Sequence, residues 1–320
     1  RELPNETFYV DGGAEAISKG GTFVGRHICV PLEGAAVHIN AFNFPVWGMM
    51  EKLAPSLLAG VPCIVKPATL TSYLTEAAFR MIVESKILPE GAIQLICGSA
   101  GDLLDHLECQ DAVAFTGSAS TGRMLKESKR VVHNAVRFNM EADSLNCSIL
   151  GPDAVPGTEE FDLFVKEVVR EMTSKAGQKC TAIRRTIVPD NVMGDVIAAL
   201  RKRLGDVKVG DPTAEGVKMG PLAGRAQVRE VGKAAEGIRA GAEVVFGGAL
   251  GALVNADAEK GAFYPITLLA CNTPFANSAP HDIEAFGPVN TVMPYATVDD
   301  AIALARLGKG SLCGSLFTAD

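Results

Sequence analysis

Short apolar runs alternate with helically spaced stretches through the first part of the chain. Ala36 to Ala41, Val61 to Val65, Ala92 to Cys97 and Ala112 to Phe115 are runs of four to six residues bounded by turn residues. Runs of that length read as buried strands. Between them, Val46 to Ala59, Leu74 to Ser85, Leu103 to Leu107 and Ser120 to Glu127 place apolar residues at helical spacing. Apolar strands joined by helices predict a parallel sheet covered on both faces. Such sheets bind ligands beyond the carboxyl ends of their strands. The residues that follow each run are therefore the first candidates for function. Upstream, glycine-rich turns and β-like runs between Thr7 and Val37 predict extended arms or a hairpin.

The pattern breaks between Asp143 and Pro156, where Gly151-Pro152-Asp153 interrupts it. A second αβ unit follows. It comprises an amphipathic helix from Phe161 to Met172, a strand at Arg185 to Val188, helices at Val192 to Leu204 and Arg225 to Ala240, and a strand at Glu243 to Phe246. Gly247 to Asn255 reads as a surface loop.

Composition narrows the function. A chain of 320 residues, 48% hydrophobic, has room for about two domains. Thirty basic residues against 37 acidic ones leave a net charge of −7. No basic stripe is present, which argues against nucleic acid as a partner. No apolar run approaches the roughly 18 residues of a membrane span. The eight cysteines show no close pairing and the five histidines are scattered. Neither a disulfide framework nor a metal centre is expected, and a reducing cytoplasm suits such a chain.

Five segments carry candidate chemistry. Thr173-Ser174-Lys175-Ala176-Gly177-Gln178-Lys179-Cys180-Thr181 sets one cysteine in a polar turn between two lysines. Nearby cations favour a thiolate and lower its pKa from about 8.5, although a lone cysteine is more often buried filler. After the first strand comes Asn40-Ala41-Phe42-Asn43-Phe44-Pro45, with Asn43 at a strand-to-helix turn, as an amide donor or a helix cap. After the second comes Lys66-Pro67-Ala68-Thr69, whose lysine faces either the ligand crevice or solvent. After the fourth, Phe115-Thr116-Gly117-Ser118-Ala119-Ser120-Thr121-Gly122 sets two glycines five apart, so that backbone N–H groups can approach a phosphate. The last is Ile283-Glu284-Ala285-Phe286-Gly287-Pro288-Val289.

Taken in order, with Glu141 between the fourth strand and the cysteine, these segments resemble the aldehyde dehydrogenase superfamily from about Glu33 to Asp320. The resemblance implies an α/β fold with a Rossmann-type cofactor domain over 1–143, an oligomerisation arm at about 5–35, and an α/β catalytic domain over 144–320 that is incomplete at its C-terminal end. It implies a homo-oligomer. It implies that Cys180 attacks an aldehyde as thiolate, with Asn43 and the Cys180 N–H as oxyanion donors, and that Glu141 activates the water that hydrolyses the thioester. Glu284 would bind the nicotinamide ribose and Phe286 would pack beside the ring. Lys66 would reach the adenosine ribose, with Gly117, Ser118 and Gly122 near the pyrophosphate. Thr69 stands where members that prefer NAD often carry a glutamate. A neutral hydroxyl beside Lys66 does not repel a 2′-phosphate, so NADP is the expected cofactor, with NAD also accepted.

Within the family, His38 to Pro45, Leu95 to His106 and Met140 to Asn146 depart from common members. They are similar to the dehydrogenase half of bifunctional ring-opening enzymes of phenylacetate degradation, in which a hydratase domain is fused. They are also similar to the semialdehyde dehydrogenases of the benzoyl-CoA epoxide route. The first likeness is preferred, and the implied substrate is a CoA-linked semialdehyde. Arg184 and Arg185 could contact CoA phosphates, although pairing with Asp or Glu is the stronger expectation. Two rival readings are a binding protein that has lost the chemistry and a cofactor-independent thiol hydrolase or acyltransferase. The retention of Cys180, Glu141 and Asn43 argues against the first. Lys66, Gly117 and Glu284, purposeless without a cofactor, argue against the second.

Overall fold

The structure, a computed structural model, describes residues 8–320, so the first part of the expected arm, residues 5–7, lies outside the described residues. The chain forms two compact units that divide between Ala142 and Asp143.

The first unit opens with β1 (Tyr9–Ala16) and β2 (Val24–Cys29), an antiparallel hairpin. Ile17, Phe23, Val24 and Ile28 are exposed on or beside it. Then follow β3 (Ala36–Ile39), α1 (Trp47–Leu58), β4 (Cys63–Lys66), α2 (Ser72–Ser85) and β5 (Ile93–Leu95). A 3-10 turn at Leu103–His106 leads to β6 (Ala112–Gly117), α3 (Ala119–Lys126), α4 (Lys129–His133) and β7 (Arg137–Ala142). The five strands β3 to β7 form a parallel sheet in the order β5-β4-β3-β6-β7. The chain builds outward from β3 in one direction and then returns to the other side with β6. That reversal creates a switch point between β3 and β6, where such sheets leave a crevice.

Strand residues alternate between two cores. Ala36, Cys63 and Val65 pack with Met49 and Leu53 of α1, while Val37, Ile39, Val113 and Phe115 pack with Leu104, Leu107 and Val131. Burial on both faces explains the uninterrupted apolar runs.

His38 is the polar exception within β3. It is 1% exposed, with Nε2 3.1 Å from Ser56 Oγ of α1. Burial, reinforced by Lys52, lowers its pKa from 6.5 to about 4. Between those values the unfolded chain takes up a proton that the folded chain refuses, so stability falls as pH drops through that window and is intact above 6.5. Denaturant titration is expected to show a loss of about 2 kcal/mol from this group between pH 7.5 and pH 5. His38→Gln removes that part of the slope. An unchanged slope in the variant would show that His38 is not its source.

The second unit contains β8 (Cys147–Leu150), α5 (Glu159–Thr173), β9 (Arg185–Pro189), α6 (Met193–Gly205), and the short pair β10 (Lys208–Val209) and β11 (Val217–Met219). It continues with α7 (Arg225–Arg239), β12 (Glu243–Gly247), β13 (Thr267–Ala270), α8 (Ala279–Asp282), β14 (Val289–Tyr295), α9 (Val298–Arg306) and β15 (Gly314–Phe317). Its sheet runs β12-β13-β14-β9-β8-β15, and only β12 is antiparallel to its neighbour. Val188 and Val292 face α5, α6 and α7, while Ile187 and Met293 pack against Ala301 and Leu304 of α9.

The helix α5 shows why this unit forms as it does. Thr158 caps it by accepting from Phe161 N, and Glu159, Glu160 and Asp162 complement the dipole of the first turn. Phe161, Phe164, Val165, Val168 and Met172 form its buried stripe. Among the described residues, no helix is long and apolar enough to cross a membrane.

Candidate active site

In the first unit, every sequence-predicted residue lies at or just beyond the carboxyl edge of the parallel sheet. Asn43 sits in the turn between β3 and α1, Lys66 ends β4, Gly117 ends β6, and Glu141 is the penultimate residue of β7. The pairing register sets Ile39 opposite both Lys66 and Phe115, and Thr116 opposite Glu141.

The Asn43 turn is held by two hydroxyls that the sequence reading did not single out. Thr71 Oγ1 donates to Phe42 O and Thr75 Oγ1 donates to Pro45 O, each at 3.0 Å. They stand four residues apart at the start of α2, so one helix face grips both sides of the turn. Asn40, at the end of β3, is 4% exposed, and its side-chain amide has no hydrogen-bond partner among the described residues.

Lys66 is half-buried, and burial lowers its pKa. No carboxylate pairs with it among the described residues. Thr69 is exposed in a 3-10 turn, with Oγ1 3.4 Å from Gly98 O. Ser118 caps α3, accepting from Thr121 N at 3.3 Å. The two glycines owe their identity to packing. A Cβ on Gly117 would meet the Phe115 ring at 2.7 Å, and one on Gly122 would meet Met140 Sδ and the same ring.

In the second unit, the predicted residues lie at the opposite edge of the sheet. Cys180 precedes β9, and Glu284 and Phe286 precede β14. These residues therefore stand at the amino ends of their strands. These strands are parallel neighbours, with Thr291 opposite Arg185, so the loops entering them emerge side by side.

The cysteine loop is tightly built. Lys175, Ala176 and Gly177 have φ of 52°, 51° and 69°, three successive left-handed residues. For the two that carry a Cβ this costs ~1–2 kcal/mol each. Gly177 is obligatory, since any Cβ there would collide with the Gly287 carbonyl. Gln178 Oε1 accepts from Ala223 N at 2.9 Å. Asn146 Nδ2 donates to Cys180 O at 2.8 Å and to Ala182 O at 3.0 Å, while its Oδ1 accepts from the Leu312 and Cys313 N–H groups. Cys180 itself is half-buried.

The two flanking lysines do not act as an equivalent pair. Lys179 Nζ is 2.6 Å from Glu171 Oε1 of α5, both largely buried, so its charge is matched within the fold. Lys175 is lowered chiefly by burial, then by Lys179, and raised by Cys180.

Arg184, 5% exposed, is a second and more deeply buried cation beside this loop. Its Nε donates to Glu284 Oε1 at 3.1 Å, its Nη1 to Gly177 O and Gly287 O, and its Nη2 to Lys179 O. Glu284 Oε2 accepts from Ser144 N at 2.9 Å. Burial raises the Glu284 carboxyl, which Arg184 and the Ser144 N–H pull back down. Arg185 is 1% exposed and donates to the Leu145, Leu304 and Ala305 carbonyls. The idea that these arginines meet CoA phosphates is therefore corrected. Arg184 is taken up by Glu284 and carbonyls, and Arg185 by carbonyls rather than by the expected acid.

A 3,4-dehydroadipyl-CoA semialdehyde dehydrogenase from Aromatoleum evansii is 51% identical over 97% of this chain and 60% of its own length. Lactaldehyde dehydrogenase of Escherichia coli (strain K12) is 30% identical over 89% of the chain and 57% of its own length. Betaine aldehyde dehydrogenase of Staphylococcus aureus in complex with NAD+ has a TM-score of 0.83 at 27% identity, covering 97% of this chain and 60% of that one. The chain thus spans about three-fifths of the length of the relatives it matches. The Aldehyde dehydrogenase family pattern matches residues 12–320, and the chain belongs to that family.

Proposed function

We propose that the protein oxidises a CoA-linked semialdehyde to its carboxylic acid with a nicotinamide dinucleotide. The observation that carries this reading is 51% identity, over nearly the whole chain, to a 3,4-dehydroadipyl-CoA semialdehyde dehydrogenase. That relative favours 3,4-dehydroadipyl-CoA semialdehyde as substrate over the phenylacetate-route compound, 3-oxo-5,6-dehydrosuberyl-CoA semialdehyde, that the sequence alone put first. A fused hydratase, a feature of the phenylacetate likeness, loses weight with it. The exposed apolar hairpin β1–β2 supports a homo-oligomer.

The residues present fit the cofactor. Asn40 offers an amide with no hydrogen-bond partner among the described residues at the end of β3, and Ser118 opens α3 directly after β6. Lys66 and Thr69 would hold the adenosine ribose, Gly117, Ser118 and Gly122 the pyrophosphate, and Glu284 and Phe286 the nicotinamide riboside. Bound there, the dinucleotide would supply the hydride acceptor.

The remaining chemistry belongs to the chain. The Cys180 sulfur adds to the aldehyde carbon, and its electron pair forms the C–S bond of a thiohemiacetal. The carbonyl oxygen, now anionic, accepts from the Asn43 amide and the Cys180 N–H. Loss of hydride leaves a thioester on Cys180. Glu141 takes a proton from water as the water oxygen attacks that thioester, and the thiolate leaves. Glu141 makes water the expected acceptor rather than a second CoA.

The test is NAD(P)H formation at 340 nm by the full-length protein with a CoA-linked semialdehyde and with a simple aldehyde. Turnover confined to the CoA substrate is the expected result, and equal turnover of both would remove the CoA requirement. The cofactor prediction is read in the same assay. Among the described residues Lys66 has no carboxylate partner, and Thr69 is neutral, so kcat/KM with NADP should exceed that with NAD by about tenfold, one charge-assisted contact. A clear preference for NAD would overturn it.

A further inference from the structure

We propose that Arg184 is a positioning residue that locks the Cys180 loop to the Glu284–Phe286 loop and leaves Glu284 with one acceptor position on each oxygen for a vicinal diol. This rests on the dinucleotide reading, since the diol meant is that of a nucleoside ribose.

The geometry is specific to a guanidinium. Nε holds the Glu284 carboxylate, and the two terminal nitrogens reach three carbonyls. Two of those carbonyls, Gly177 and Lys179, lie within three residues of Cys180, and the third, Gly287, lies three residues after Glu284. The guanidinium carbon also sits 5.2 Å from the centre of the Phe286 ring. One rigid, planar fork therefore fixes the approach to the nucleophile and to both residues assigned to the nicotinamide riboside. The left-handed turn at Lys175 to Gly177 needs such an outside hold, because strained backbone persists only where its surroundings over-determine it.

The ion pair is not there mainly for stability. Burial moves Glu284 up and Arg184 down, each against ionisation, and in each case it outweighs the partner's attraction. Pairs of that kind add little net stability, and what this pair fixes is direction. An ionised carboxylate has about four acceptor positions. Arg184 takes one on Oε1 and Ser144 N–H takes one on Oε2. Among the described residues nothing else takes an acceptor position, so one remains on each oxygen, the pattern that two adjacent hydroxyls require.

The test is a double-mutant cycle on full-length protein, reading the Kd for NADP+ and NAD+ by calorimetry. Arg184→Gln and Glu284→Gln should each weaken binding by about tenfold. The double variant should be within about threefold of the weaker single variant, because Arg184 acts through Glu284. Losses that multiply would overturn the proposal. A second readout needs no cofactor: iodoacetamide labelling of Cys180, followed by peptide mapping. Arg184→Gln should change its rate by about threefold or more while Glu284→Gln leaves it within about twofold, and an unchanged rate in Arg184→Gln would overturn the loop lock. Where Arg184→Gln is insoluble, Arg184→Lys enters the same cycle, keeping the charge but losing the fork. A wild type that binds neither dinucleotide overturns the dinucleotide reading and the diol half of the proposal, while labelling still decides the loop half.

Discussion

Replacing Cys180 with Ala should lower kcat/KM for aldehyde oxidation by about 10⁴-fold or more, the scale of losing a covalent nucleophile. Cofactor affinity should stay within about threefold of wild type, because the contacts proposed for the dinucleotide are made by other side chains. The loop that carries Cys180 has several anchors besides Cys180 itself. It is held by Asn146, by Gln178 and by the Arg184 fork, all of which bond through backbone atoms or other side chains. Alanine should therefore leave the backbone in place and remove only the chemistry. The control is chosen by exposure. Cys29, Cys97, Cys109 and Cys313 are more exposed than Cys180, so accessibility alone does not distinguish the nucleophile. Their single alanine variants should retain activity within about twofold, as surface substitutions usually do. Retention of turnover by Cys180→Ala, with loss in one of the others, would transfer the nucleophile to that residue.

The parts of the molecule that were legible in the sequence are those whose environment is local. Strands β3, β4 and β6 are buried on both faces, so they announce themselves as short apolar runs. α5 and α7 have one buried stripe each, so their bounds fall within about two residues of the spacing. By contrast, β7 is an edge strand of sequence RFNMEA whose side chains are exposed or half-buried, and no apolar run marks it. Glu141 therefore stood out only by family likeness. Beyond β12 the strands β13, β14 and β15 went unread. They follow glycine-rich or proline-containing loops, and two of them have a partner far away in sequence: β14 pairs with β9 and β15 with β8.

The same distinction governs the site. Cys180, Asn43 and Lys66 sit at turns beside elements that can be recognised, so their positions could be read. What surrounds them could not. Lys179 is matched by Glu171, which is set by the last turn of α5 and the bend after it. Arg184 meets Glu284, a hundred positions away, because two parallel strands are neighbours in a sheet whose order no local pattern encodes. Thr71 and Thr75 look like ordinary helix hydroxyls until their acceptors, the carbonyls flanking Asn43, are known.

The Glu141→Gln variant should separate the two halves of the reaction. In a pre-steady-state experiment it should give a burst of reduced cofactor close to one equivalent per active site, followed by turnover about 10²–10⁴-fold slower than wild type. The reason is which step needs a base. Attack by the sulfur and loss of hydride require a thiolate and oxyanion donors, which an amide at position 141 leaves in place. Hydrolysis of the thioester requires a proton to leave water, and an amide cannot accept it. The substitution is nearly isosteric on the half-buried end of β7, where Thr116 is the strand partner, so the sheet should be undisturbed. Accumulated thioester should be visible by intact mass as Cys180 carrying the acyl group, and hydroxylamine should release it. A variant that loses the burst along with turnover would place Glu141 before hydride transfer, as the group that deprotonates Cys180. A variant that keeps wild-type turnover would leave deacylation to another base.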